Sequence, residues 1–362
     1  MDRRWRWGGG WDRAALEADP KDVVRLCTAA ATTSVFMTTT AESPILVLGA
    51  TGGQGGAVTA ALLARQARVR AMLRRPDEPS VQRLMECGVE VMVGSLDDRA
   101  TLGAAMEGAA AVFALTTPFE AGVDAEVAQG RAIVAAADDA RVPHLVFSSV
   151  AGADQHTGVP HFDSKAIIEK DLAASGLPYT VTAPTYFFDN ALGGEGADRV
   201  TAGILDLPLP PDRQLQQLAR PDLGAFAAKV LLDPKPYLGR RIELASDAVT
   251  PAQMAEALSV AVGRPVRHQQ TPLESIRNPD MHAMWRFLNG PGYRVDIDAL
   301  RTATPTSPGR PSSTGRSTRS NPAAELSDSP RFGCVVARSI DDNPTVVPRN
   351  WRSPHRSWGR GA

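Results

Sequence analysis

Three short stretches carry residues whose types and spacing can do chemistry. "GATGGQGG" (49–56) spaces Gly49, Gly52 and Gly55 three apart, between an apolar run and a small-residue helical pattern. Gly49 permits a tight turn, Gly52 lets the backbone approach a pyrophosphate, and Gly55 lets the helix pack close to the strand. The helix start then offers unpaired N–H groups and a positive dipole end to phosphates. "LRRP" (73–76) places Arg74 nineteen residues after Gly55, at the end of the next apolar run. An acid at that point binds a ribose 2′-hydroxyl, whereas an arginine pairs with a 2′-phosphate. Arg74, helped by Arg75, therefore argues for NADP(H) over NAD(H). "HFDSK" (161–165) puts His161 and Lys165 one helical turn apart on one face. An imidazole, with a reference pKa of about 6.5, can supply a proton. A first-turn histidine partly in solvent is the plainer expectation for His161. Ser149, twelve residues earlier, ends an apolar run where a hydroxyl could polarise a substrate carbonyl, although a serine at a strand end is common in any fold.

These residues need a scaffold, and the middle of the chain supplies one by repetition. Apolar runs at 45–50, 69–74, 89–94, 110–115, 144–149 and 179–183 alternate with helical patterns. Strands alternating with helices imply right-handed crossovers and a parallel sheet covered on both faces. The fold class is therefore α/β, a doubly wound parallel sheet of the Rossmann kind, with a smaller C-terminal α/β subdomain. "GSLDD" (94–98) ends the third strand, where Ser95 and Leu96 would flank the adenine. "LTTP" (115–118) ends the fourth, beside the expected nicotinamide ribose.

The chain as a whole narrows the function classes. Its 362 residues are 43% hydrophobic and 22% charged, with a formal net charge of −1, so nothing in the balance calls for a polyanionic partner. Cys27, Cys87 and Cys334 lie far apart without metal-like spacing, which fits a reducing compartment, no metal and a cytoplasmic protein. No apolar run reaches the roughly 18–20 residues of a membrane helix. Lysine is scarce: only Lys21, Lys165, Lys170, Lys229 and Lys235 stand among 39 basic residues. Lysine can lose its proton and arginine cannot, so a lysine at 165 is a hint of chemistry. Residues 1–42 show no sustained period and are expected to be a disordered extension, with Met37 a plausible internal start. The Pro/Ser/Thr/Arg-rich stretch from 302 to 362 is expected to be disordered, or a product of a shifted reading frame. The domains expected between these ends are a Rossmann domain at 43–190 and a subdomain at 191–301 facing substrate or partner. In it, "RRIELASDAVTPAQMAEAL" reads as a strand–helix unit with Thr250 and Gln253 as a capping box. Met281, Met284, Trp285, Phe287 and Leu288 read as its core.

"GATGGQGG", "RRP", "HFDSKAIIEKDLAASGLPYTVTAPTYFFDN" and "IELASDAVTPAQMAEAL" together resemble the NmrA-like family, an atypical branch of the short-chain dehydrogenase/reductase superfamily. The resemblance covers about residues 43–301. It implies an NADP(H)-binding Rossmann domain and either a redox-sensing regulator or a reductase of quinones and other small electrophiles. Carried over by residue, it implies that Gly49, Ala50, Thr51, Gly52, Gly53 and Gln54 hold the pyrophosphate and Arg74 and Arg75 the 2′-phosphate. It places Ser95 and Leu96 at the adenine and Thr116 and Thr117 near the nicotinamide ribose. Lys165 would hold that ribose, and Pro184, Thr185, Tyr186 and Phe187 would line the nicotinamide side. Ala183 stands where the family often has arginine. The superfamily usually has tyrosine four residues before the lysine, and here that slot holds His161.

No catalytic residue is assigned at this stage. An NADPH-dependent reductase of quinones or small electrophiles and a non-catalytic sensor acting on a protein partner both fit. The missing tyrosine favours the sensor for carbonyl chemistry; quinone reduction asks less, since water can supply the protons.

Overall fold

The computed structural model describes residues 43–303, so expectations for residues 1–42 and 304–362 lie outside the described residues. Strand β1 (Ile45–Leu48) is buried along its whole length. Its side chains alternate between two cores. Ile45 and Val47 join Val58, Leu62, Ala227 and Leu231 on one face, while Leu46 and Leu48 join Leu102, Ile133 and Leu172 on the other. A strand apolar on both sides belongs in the middle of a parallel sheet.

Around it lie β2 (Val69–Leu73), β3 (Glu90–Val93), β4 (Ala111–Leu115), β5 (Leu145–Ser148) and β6 (Tyr179–Pro184). With β10 (Arg240–Leu244) they form a seven-stranded sheet in the order β10-β6-β5-β4-β1-β2-β3, every pairing parallel. The connections are α1 (Gly53–Leu63), α2 (Pro79–Glu86), α3 (Arg99–Met106), α4 (Val123–Asp139) and α5 (Pro160–Ala174). Helix α1 covers one face and α4 the other. The crossovers therefore part between β1 and β4, and a crevice opens there at the carboxyl ends of the strands.

The smaller subdomain holds a three-stranded sheet of β7 (Tyr186–Phe187), β9 (Leu215–Leu218) and β11 (Asp247–Val249), and a pair of β8 (Ile204–Leu207) with β12 (Arg267–Gln270). Helices α6 (Gly196–Thr201), α8 (Pro251–Val262), α9 (Pro279–Asn289) and α10 (Ile297–Ala303) complete it. Met284, Trp285, Phe287 and Leu288 sit in its core, with Met281 packed at the margin. The expected capping box opens α8: Gln253 N–H donates to Thr250 Oγ1, and Thr250 N–H to Gln253 Oε1.

One expectation needs correcting. "RRIEL" is not a strand of the small subdomain: it is β10, paired with β6 in the large sheet. Helix α7 (Arg220–Leu232) packs on α1 on the same side of the chain's return. A boundary at 190 therefore does not divide two continuous stretches. The sequence could not signal this, because an edge strand tolerates charge and β10 carries Arg240, Arg241 and Glu243.

His144 precedes β5, and its ring is enclosed, with Nε2 2.9 Å from Thr180 Oγ1. Burial pushes its pKa down to about 4 from 6.5. The unfolded chain then binds the proton more readily, so this residue's contribution to stability is full above about 6.5 and is lost as pH falls towards about 4. Urea denaturation across that window is expected to show a smaller acid-side loss in His144→Gln than in the parent. Parallel profiles would contradict the assignment.

Candidate functional site

The glycine turn forms as its residue types require. Gly49 adopts φ +71°, a left-handed conformation that glycine reaches without strain. Gly52 N–H donates to the Gly49 carbonyl (2.9 Å) and Gly56 N–H to the Gly52 carbonyl (2.8 Å). A Cβ on Gly55 would overlap the Gly49 carbonyl, so only glycine lets α1 start this close to β1. Gly52 caps α1 without a side chain, which leaves the first-turn amides without a side-chain acceptor beside the crevice. Ala50 is buried, whereas Thr51, Gly52 and Gly53 are exposed. Gln54 is braced from below: Ser148 Oγ donates to its Oε1 (2.7 Å).

Arg74 leaves the end of β2 more than half exposed and grips Glu120 with both terminal nitrogens, at 2.8 and 3.0 Å. Arg75 pairs with Glu78 at 3.0 Å. Ser95 turns back on Asp97, and Leu96 packs against the sheet core. Thr117 Oγ1 accepts from Phe119 N–H.

Lys165 is buried, and so is the carboxylate it meets, Glu126 on α4, which is fully enclosed. The ammonium lies 2.6 Å from the Thr116 carbonyl, 3.0 Å from Thr116 Oγ1 and 3.0 Å from Glu126 Oε1. Thr116 Oγ1 and Ser164 Oγ donate to the two oxygens of the same carboxylate. Burial pulls the Lys165 pKa down, and the Glu126 carboxylate pulls it back up. All three N–H groups of the ammonium are met by protein. Lys165 thus anchors the end of β4, and in this arrangement it does not reach free towards a ribose.

Two residues near it differ from expectation. Ser149 faces away from the glycine turn and donates to Glu169, which pairs with Arg241 at 2.9 Å; Ser148 is the serine that faces the turn. His161 does lie in the first turn of α5, but it is more enclosed than expected, with 12% of its side chain exposed: Nδ1 lies 2.5 Å from Asp280 Oδ1, and its ring rests against Phe119 and Phe162. The segment 184–187 splits. Thr185 Oγ1 donates to the Leu244 carbonyl, and Tyr186 turns into the small core against Trp285. Only Phe187 points back, under the guanidinium of Arg220. Arg220 lies over Gly53, and sequence reasoning missed it, as it missed Glu126, Asp189 and Asp280. A glutamate in a helix and an arginine in an arginine-rich chain carry no local signal of such partners.

The match that decides kinship spans all the described residues: the NmrA-like family aligns with 41–304. The chain belongs to the NmrA-like family. Among its NmrA-like relatives and structural likenesses, an NAD(P)H azoreductase of Xenophilus azovorans is 31% identical over 233 residues, 64% of this chain and 79% of that protein. An NADPH-dependent quinone oxidoreductase from Escherichia coli is similar in structure, with a TM-score of 0.58, 25% identity and coverage of 71% of this chain and 93% of that one. NmrA itself, a negative transcriptional regulator crystallised with NADP, shares the fold at a TM-score of 0.60 and 22% identity, covering 72% of this chain and 91% of that one. No helix among the described residues of this NmrA-like chain is long and apolar enough to cross a membrane.

Removing one partner of a buried ion pair strands the other. Lys165→Met is expected to lower stability by about 3–5 kcal/mol in urea denaturation, and Lys165→Met with Glu126→Gln to recover most of it. A single variant as stable as the parent would contradict the buried pair.

Proposed function

We propose that this NmrA-like chain binds NADP(H) in the crevice between β1 and β4 and uses it to reduce a small electrophile, a quinone before a carbonyl. The observation that carries the reading is the glycine turn: Gly55 seats α1 on the Gly49 carbonyl and leaves its first-turn amides open to a pyrophosphate. In this reading residues 49–55 hold the pyrophosphate. Arg74 takes the 2′-phosphate in exchange for Glu120, with Arg75 nearby, because its fork already binds two oxygens of one anion. Ser95 and Leu96 border the adenine, Thr116 and Thr117 the nicotinamide ribose, and Phe187 the nicotinamide side. Lys165 acts through Thr116, whose carbonyl and hydroxyl it holds. A cytoplasmic setting fits a protein that draws on reduced nicotinamide.

Bound NADPH supplies a hydride equivalent. What the chain adds is position and exclusion of water, and its proton donors are weak. Tyr186 is buried and Tyr293 partly so, and burial raises both phenols above their ordinary range, so they hold their protons at neutral pH. His161 has one ring nitrogen engaged by Asp280. Carbonyl reduction needs a matched acid at the oxygen, whereas an electron-poor ring accepts hydride and takes its protons from water. Of the similar proteins, the quinone oxidoreductase acts on an acceptor of that kind and the azoreductase on an azo group. A second reading, an NADP(H)-dependent regulator with a protein partner, draws support from the same engaged Lys165 and from the regulator that shares the fold.

Single-turnover absorbance of NADPH with the full chain tests the choice. Loss that depends on added benzoquinone is expected; tight binding without loss would turn the reading to the regulator. For cofactor choice, Arg74→Ala is expected to weaken NADPH about tenfold or more and leave NADH nearly unchanged, since a charged hydrogen-bonded contact is lost only for the phosphate. Equal losses for both cofactors would show that Arg74 does not read the 2′-phosphate.

A further inference from the structure

Arg220 is the first residue of α7, and α7 is pressed against α1 so closely that a Cβ on Gly224 would overlap the Ala57 carbonyl. This packing lays the Arg220 side chain across the first turn of α1. A Cβ added to Gly53 would stand 2.5 Å from the guanidinium carbon. The guanidinium lies over the Phe187 ring, 5.6 Å from its centroid, and Nη1 pairs with Asp189 Oδ2 at 2.5 Å. Nε is enclosed, yet it meets no acceptor. Asp189 is a reluctant partner: burial pushes its carboxyl above the ordinary range against the pull of Arg220. A cation with an unmet donor, held by a half-buried acid beside a turn built for phosphate, is short of one anion.

We propose that Arg220 is a phosphate ligand of the bound dinucleotide, closing on the pyrophosphate from α7 while the α1 amides hold it from the other side, and that Asp189 is the carboxylate it releases. The inference rests on the reading of the glycine turn as the pyrophosphate seat. A guanidinium fork can bind two phosphate oxygens at once and brings a full positive charge, which the α1 amides do not carry. It also links the cofactor to the 187–189 segment, where the chain passes into the small subdomain.

The test titrates the full chain with NADPH and, separately, with adenosine 2′-monophosphate, which has the 2′-phosphate but no pyrophosphate. Arg220→Ala is expected to weaken NADPH about tenfold or more and to leave adenosine 2′-monophosphate unchanged. Arg74→Ala should weaken both. Asp189→Asn, which removes the competing charge, should tighten NADPH. Thermal melting of each variant checks the fold, and Arg220→Lys, which keeps the charge and loses the fork, replaces the alanine variant if that one does not fold. Parent-like NADPH affinity in the Arg220 variants overturns the proposal, as does a loss shared equally by both ligands or weaker NADPH binding in Asp189→Asn. No NADPH binding by the parent chain overturns this proposal and the glycine-turn reading together; parent binding with indifferent Arg220 variants overturns this proposal alone.

Discussion

The contact of Gly55 with the carbonyl of Gly49 is the constraint on which the rest of the site hangs. It fixes where α1 begins relative to β1, and so fixes which way the first-turn amides face. Gln54, on that turn, meets the Ser148 hydroxyl from β5. Helix α7 can lie against α1 only because Gly224 adds no side chain, and that brings Arg220 over Gly53. Widening the Gly55 contact by one methyl group would push α1 off β1 and misplace groups drawn from β5 and α7 as well. Close packing transmits such a shift because the interior has no slack to absorb it.

Charge is handled around this seat in three enclosed or half-enclosed groups. Lys165 and Glu126 neutralise each other beneath the end of β4, with Thr116 and Ser164 completing the shell. Glu169 and Arg241 do the same behind β5, and Ser149 belongs to that group. Arg220 and Asp189 form the third, at the mouth. The first two have their hydrogen bonds met within the protein, and buried pairs that are fully met hold geometry and do not exchange partners easily. The third leaves a donor unmet, and it is the one that adjoins the glycine turn.

The sheet was legible in the sequence wherever strands are buried on both faces. "ILVL" and its repeats announce themselves as short apolar runs, and their alternation with helices dictates a parallel arrangement. The glycine turn was legible because backbone geometry forces the residue type. Strand β10 was not, since an edge strand needs no apolar run and its charges read as surface. The partners of the site residues were not legible either. That Lys165 meets Glu126, His161 meets Asp280 and Arg220 meets Asp189 depends on separations of 39, 119 and 31 residues, which only the packed fold closes. Ser149 was singled out from the sequence by its place at a strand end, yet it is the neighbouring Ser148 that meets the glycine turn. The pleat decides it, since adjacent residues face opposite sides.

Hydrogen–deuterium exchange of the full chain with and without NADPH tests the central claim most directly, because the claim concerns particular backbone amides. NADPH is expected to slow exchange at residues 53–55, the first-turn amides of α1 that the glycine turn leaves open. Binding of NADPH that leaves those amides exchanging at their free rate would contradict it.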